Sequence, residues 1–259
     1  MTPPRTIAHY RIAFSALDAR WRKHIVFGQF VASGSDEYGI WWIRYDGSGQ
    51  PEKLLGSKER LDPSSLSPDG RLLAFGLHDP GTGDHIWTLP SDLSDPDHPK
   101  LGKPEPFPRE PDNQWDAAFS TDGRWLAYTS FQSAGAQVFV QPFPASPSGG
   151  KWLISAGSGR FPIWSPNGRE LFYLSDSDNR IMVAGYTAKG DSFVPEKPRQ
   201  WSPTPIARMG VFRPLSLAPD GKRIVVFSVV SETPGDDKAS VHVTVLLNFF
   251  DELRRRMPK

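Results

Sequence analysis

The chain has 259 residues, room for one large all-β domain or two ordinary ones, and its 26 Pro and 23 Gly beside nine Trp and 16 Phe suit short strands and tight turns. Thirty Lys and Arg against 29 Asp and Glu leave a formal charge of +1, which gives nucleic acid no electrostatic reason to bind. With no cysteine, disulfides, Cys-ligated zinc and a thiol nucleophile are excluded.

The N-terminal stretch, MTPPRTIAHYRIAFSALDARWRK, holds no apolar run long enough for a signal peptide, and nothing later approaches a membrane span. No membrane insertion is expected. The cytoplasm is the default location for this chain, and the extracytoplasmic side if it is part of a longer protein. Within this stretch YRIAF (10–14) reads as a strand, and a first inner strand is expected near residue 19. DARW then runs directly into RKHIVF without a turn signal.

From residue 61 onward one phrase recurs. SPDGRLLAF (67–75), STDGRWLAY (120–128), SPNGRELFY (165–173) and APDGKRIVV (218–226) each join a short strand to an apolar one through a tight turn. Pro presets φ at the first corner, Asp bonds its own backbone, and Gly takes a left-handed position. Arg71, Arg124, Arg169 and Lys222 follow the turns, with Lys23 in a degenerate earlier copy, at a period of about 50 residues. That period predicts propeller blades rather than two domains.

Each unit continues in the same order. A third strand is read in GIWWIRY (39–45), HIWTL (85–89), QVFVQPF (137–143), RIMVAGY (180–186) and VHVTVLLNF (241–249), and a polar fourth in PEKLL, KWLIS and PRQW. The expectation is a single all-β propeller over 1–259 with four-stranded antiparallel blades starting near 19, 61, 115, 160 and 212. Five blades are counted, with six as the alternative. YRIAF precedes SALDARW much as KWLIS precedes AGSGRFPIW, so the N-terminal strand is expected to close the ring by joining the last blade. A short helix is expected over 249–256, with Asp251 and Glu252 at its start, Arg254 to Arg256 near its end, and its apolar side against the last blade.

The Pro-Asp-Gly turn and its variants, in four copies each followed by an apolar strand, resemble the WD-like repeats of the TolB-like β-propeller family. The closing VHVTVLLNFFDELRRRMPK looks like the end of sensor propellers attached to certain bacterial serine/threonine kinases. No Gly-rich phosphate loop, His-Arg-Asp loop or Asp-Phe-Gly of a kinase is present. The resemblance implies a binding or sensing role.

Catalytic signatures are sparse. HDPGTGDH, with His78, Asp79, Asp84 and His85, has metal-like residue types without the helical spacing of a hydrolytic zinc site, and reads as a solvated hairpin loop. SDSDN (175–179) lacks the full calcium-loop pattern, and no Gly-x-Ser-x-Gly elbow occurs. The six His residues do not recur at one repeat position, as a ring of channel ligands would. No metal, cofactor or enzymatic activity is expected, and a channel-mouth lyase or hydrolase is the alternative.

Binding is expected where loops enter the innermost strands at one mouth of the channel. These bring Arg20, Arg60 with Asp62, Trp115 with Asp116, Arg160 and Arg213 to comparable places. Such a rim suits a small anionic ligand or an acidic segment of a protein partner, unless the arginines pair with neighbouring Asp residues and only hold the loops.

Overall fold

The computed structural model describes residues 9–12, 24–30, 38–44 and 49–226, apart from 93–94, 96–97, 109, 134, 146–148 and 211–212. Among these, five antiparallel sheets follow one another along the chain. The first is β1 (His9–Ile12), β2 (His24–Phe30), β3 (Tyr38–Arg44) and β4 (Glu52–Ser57), in that order across the sheet. The second runs β5 (Leu61–Leu66), β6 (Leu72–Asp79), β7 (Gly83–Asp92) and β8 (Lys100–Leu101), with β9 (Glu105–Pro106) also on β7. The third runs β10 (Asn113–Phe119), β11 (Trp125–Gln132), β12 (Gly135–Pro142) and β13 (Trp152–Leu153). The fourth is β14 (Arg160–Trp164), β15 (Glu170–Leu174), β16 (Ile181–Lys189) and β17 (Ser192–Pro195), with β18 (Arg199–Gln200) on β16. The described part of the fifth is β19 (Leu215–Leu217) with β20 (Ile224–Val226).

The sheets form because each recurring phrase is a hairpin with its own internal lock. Ser67 Oγ donates to Asp69 Oδ1 at 2.6 Å, and Asp69 Oδ1 accepts from Arg71 N at 3.0 Å. Ser120 and Asp122 repeat both bonds at 2.6 and 3.1 Å, and Asn167 takes the Asp role toward Arg169 N at 2.8 Å. The turn glycines Gly70, Gly123, Gly168 and Gly221 have φ of 70, 72, 66 and 67°, a region where a Cβ would be strained.

Packing follows from strand alternation. In β6, Leu73 and Phe75 face a core shared with Val26, Ile40 and Trp42 of the first sheet, while Ala74 between them faces Phe119 and Tyr128 of the third. In β11, Trp125 and Ala127 face the fourth sheet and Leu126 and Tyr128 the second. In β15, Leu171 and Tyr173 face the third sheet and Phe172 and Leu174 face Leu215 of the fifth. Strands buried on both faces need near-continuous apolar runs, which is why the sequence shows them in place of a polar alternation. Sheets packed face to face in chain order make the fold propeller-like.

The N-terminal strand takes a place in the first sheet. β1 pairs antiparallel with β2, from His9↔Phe30 to Ile12↔Phe27, so it holds within the first sheet the place that β5, β10 and β14 hold in theirs. The expected join to the last blade falls on strands outside the described residues. The expected inner strand near residue 19, the third strand over 241–249 and the helix over 249–256 lie outside the described residues.

Candidate functional site at the inner-strand end

The four-stranded sheets have two unlike ends. At one lie the Ser-Asp-Gly turns; at the other the inner strands begin and the hairpins between second and third strands project. Residues at the second end come together by register: Leu61 pairs with Leu77, and His78 lies directly opposite Asp84 across the β6–β7 hairpin.

That pairing builds a charged cluster. His78 Nδ1 is 3.1 Å from Asp84 Oδ1, and the same oxygen accepts from Arg60 Nη2 at 3.3 Å. Arg60 also pairs through Nε with Asp62 Oδ2 at 3.2 Å. The Asp84 backbone N–H donates to Asn113 Oδ1 of the next sheet at 3.0 Å, and the His78 N–H to the Arg60 carbonyl at 3.0 Å. Asp84 is therefore fixed from three sides and its side chain is only 10% exposed, whereas the His78 side chain is 44% exposed. Nδ1–H donating to the carboxylate leaves Nε2 as the ring acceptor, and no polar group among the described residues bonds it.

The other histidines serve differently. His85 is buried and its Nε2 lies 3.0 Å from the Thr82 carbonyl, so it braces the hairpin. His98 pairs with Asp95 at 3.1 Å, and both side chains are exposed. Among the described residues no group of three or more His, Asp or Glu side chains is placed to hold a metal ion.

In the third and fourth sheets the same end is built on bulges. Register shifts occur between Trp115 and Ala118 and between Arg160 and Ile163, and within them Asp116 and Phe161 adopt φ of 57 and 56°. Asp116 Oδ2 accepts from Thr129 Oγ1 at 3.1 Å, and the Phe161 N–H donates to that hydroxyl at 3.3 Å, tying the two sheets together. Arg160 is buried, 3.7 Å from Asp176 Oδ1, with its guanidinium over the Phe131 and Phe161 rings. Trp115 packs on the other neighbour of this group, with ring centroids 4.8 Å from Phe131.

Of the residues singled out from sequence, Arg60 and Asp62 thus sit with His78 and Asp84, and Trp115, Asp116 and Arg160 form a second group linked to it through Asn113, the register partner of Phe131. Counted back from the turn Ser, Asp62, Trp115 and Arg160 share one position and Arg60 lies two residues upstream, so the two arginines are not equivalents. Arg213 lines a different space: a cavity of about 320 Å³ among the inner strands, bounded by Ser64, Ile163, Trp164 and the turn prolines Pro68 and Pro219. Arg20 lies outside the described residues. The His78–Asp84 pair is what sequence reasoning set aside as a solvated loop; a turn at the centre of HDPGTGDH would set His78 opposite His85, and the observed register, centred on Gly81, brings His78 opposite Asp84 instead.

No protein-family model and no curated protein sequence matches the chain. Solved structures do. TolB from Acinetobacter baumannii is similar with a TM-score of 0.53 at 18% identity, over 84% of this chain and 49% of that one. The periplasmic gluconolactonase PpgL of Pseudomonas aeruginosa is similar with a TM-score of 0.52 at 18% identity, over 82% of this chain and 63% of that one. The chain thus spans about half to two thirds of the length of these proteins. The expectation of a non-catalytic binding or sensing propeller, with no enzymatic activity, is corrected by the second likeness. An architecture that serves an enzyme as closely as it serves TolB gives a TolB-like repeat no power to exclude catalysis. The kinase-linked resemblance rests on residues outside those described. The fold of this chain is a TolB-like β-propeller.

Proposed function

We propose that the chain is a propeller-type hydrolase that opens cyclic esters, with its site at the end of a five-bladed ring where the inner strands begin. The observation that carries this reading is the His78–Asp84 pair: a partly exposed imidazole held at Nδ1 by a fixed carboxylate, with Nε2 bonded to none of the described residues. The gluconolactonase likeness supplies the substrate class, a lactone.

The chemistry needs one base and one orienting group. His78 Nε2 takes a proton from water as its oxygen attacks the lactone carbonyl carbon, and the tetrahedral intermediate forms. The ring C–O bond then breaks, and the leaving alkoxide receives the proton back from Nε2, giving the open hydroxy acid. Asp84 keeps the imidazole in the productive tautomer and stabilises its transient charge. Arg60 and Asn113 act as positioning residues through Asp84.

The test is the rate of acid release from glucono-δ-lactone, followed by base titration at constant pH. Replacing His78 by Gln lowers kcat by about 100-fold or more, in the range for loss of a general base, and Asp84→Asn lowers it by at least about tenfold. Wild-type rates in both variants would contradict the assignment.

A further inference from the structure

Arg160 carries a buried charge that the protein leaves short of partners. Its side chain is 8% exposed, and among the described residues Nε and Nη2 are buried without a hydrogen bond and its one carboxylate neighbour stands 3.7 Å from Nη1, beyond hydrogen-bond reach. That carboxylate, Asp176, is 26% exposed and shared with Arg208 Nη2 at 3.5 Å. Phe131 and Phe161 flank the guanidinium with centroids 5.3 and 4.8 Å from Cζ. Trp115, packed on Phe131, also has a buried Nε1 without a partner. All three of these unfilled groups are donors, and a buried donor left unfilled is destabilising.

The backbone gives an independent sign. Phe161, a bulky residue, is held at φ 56° in the bulge that follows Arg160. Such strain collects at ligand clamps and active sites.

We infer that Arg160 is the anchor of an oxyanion subsite, that Asp176 occupies it weakly in the free protein, and that a carboxylate or phosphate on the substrate takes the place of Asp176. Only the assignment of that oxyanion to the substrate rests on the hydrolase reading. Planar, always charged and desolvated by two rings, Arg160 offers paired N–H donors that match the spacing of such oxygens. The preferred substrate is then a lactone that carries an oxyanion, and a neutral lactone such as glucono-δ-lactone is opened by the same His78 chemistry with a higher KM.

Inorganic phosphate and gluconate are titrated calorimetrically into the full chain. Binding of either is expected to weaken by at least about tenfold in Arg160→Met and to tighten severalfold in Asp176→Asn, because one change removes the cation and the other its competitor. The tighter of the two names the oxyanion. No binding to the wild type, equal binding in Arg160→Met, or weaker binding in Asp176→Asn would overturn the subsite, and the last variant alters a partly exposed side chain, so folding does not confuse the result. Arg160-dependent binding in a chain that opens no lactone would sink the hydrolase reading and leave the subsite standing. His78-dependent hydrolysis without Arg160-dependent binding would do the reverse.

Discussion

The turn carboxylates carry charge where the backbone wants it. For Asp69, burial pushes the carboxyl up, but the hydrogen bonds from Ser67 and the Arg71 backbone and the Arg71 charge outweigh it, and the group lies below its ordinary 3.8. Asp122 is lowered against the same burial by Ser120 and Arg124. A carboxyl lowered in the folded state contributes stability that is present above its unfolded value and lost as pH falls through the folded one. The loss therefore falls below about pH 4. The urea midpoint should drop between about pH 5 and pH 3 by less in Asp122→Asn than in the wild type, since Asn167 shows that an amide closes the same turn. An equal drop in both would show that the carboxylate contributes nothing. These turn residues were legible in the sequence because each bond is local. The His78–Asp84 pair was not, because its meaning depends on Arg60 and Asn113 arriving from elsewhere to fix the carboxylate.

At the level of strands, burial on both faces is what the apolar runs encode. Trp125 makes the clearest case, 2% exposed and in edge or tilted contact with Trp152 and Phe193, 5.6 and 5.1 Å between centroids. Trp164 meets Phe193 from the fourth sheet at 6.1 Å. Truncating Trp125 to Ala removes the centre of this cluster, and an unfolding free energy lower by about 3–5 kcal/mol is expected from denaturant titration. A loss under about 1 kcal/mol would mean that the two sheets do not depend on this contact. Strand order and blade period could be read from RLLAF, RWLAY and RELFY and the strands after them. The place of β1 could not, because YRIAF carries no turn motif to set its register. The bulges at Trp115 and Arg160 were equally hidden, since neither contains the glycine that usually announces a left-handed residue.

At the scale of the molecule, the sheets join among the described residues through four successive cores, each shared by two neighbours in the chain. Such a stack holds its two ends apart: locked turns surround the 320 Å³ cavity at one, and His78, Asp84, Asp116 and Arg160 gather at the other. The chemistry assigned to this protein belongs to the second end. The measurement that tests this most directly is the map of backbone amide resonances as gluconate, the hydroxy acid from lactone opening, is added. Shifts confined to residues 60–62, 77–85, 113–116 and 160–161 are the predicted result. Shifts centred instead on 64–68, 118–121 and 163–166, or none at saturating gluconate, would contradict the account.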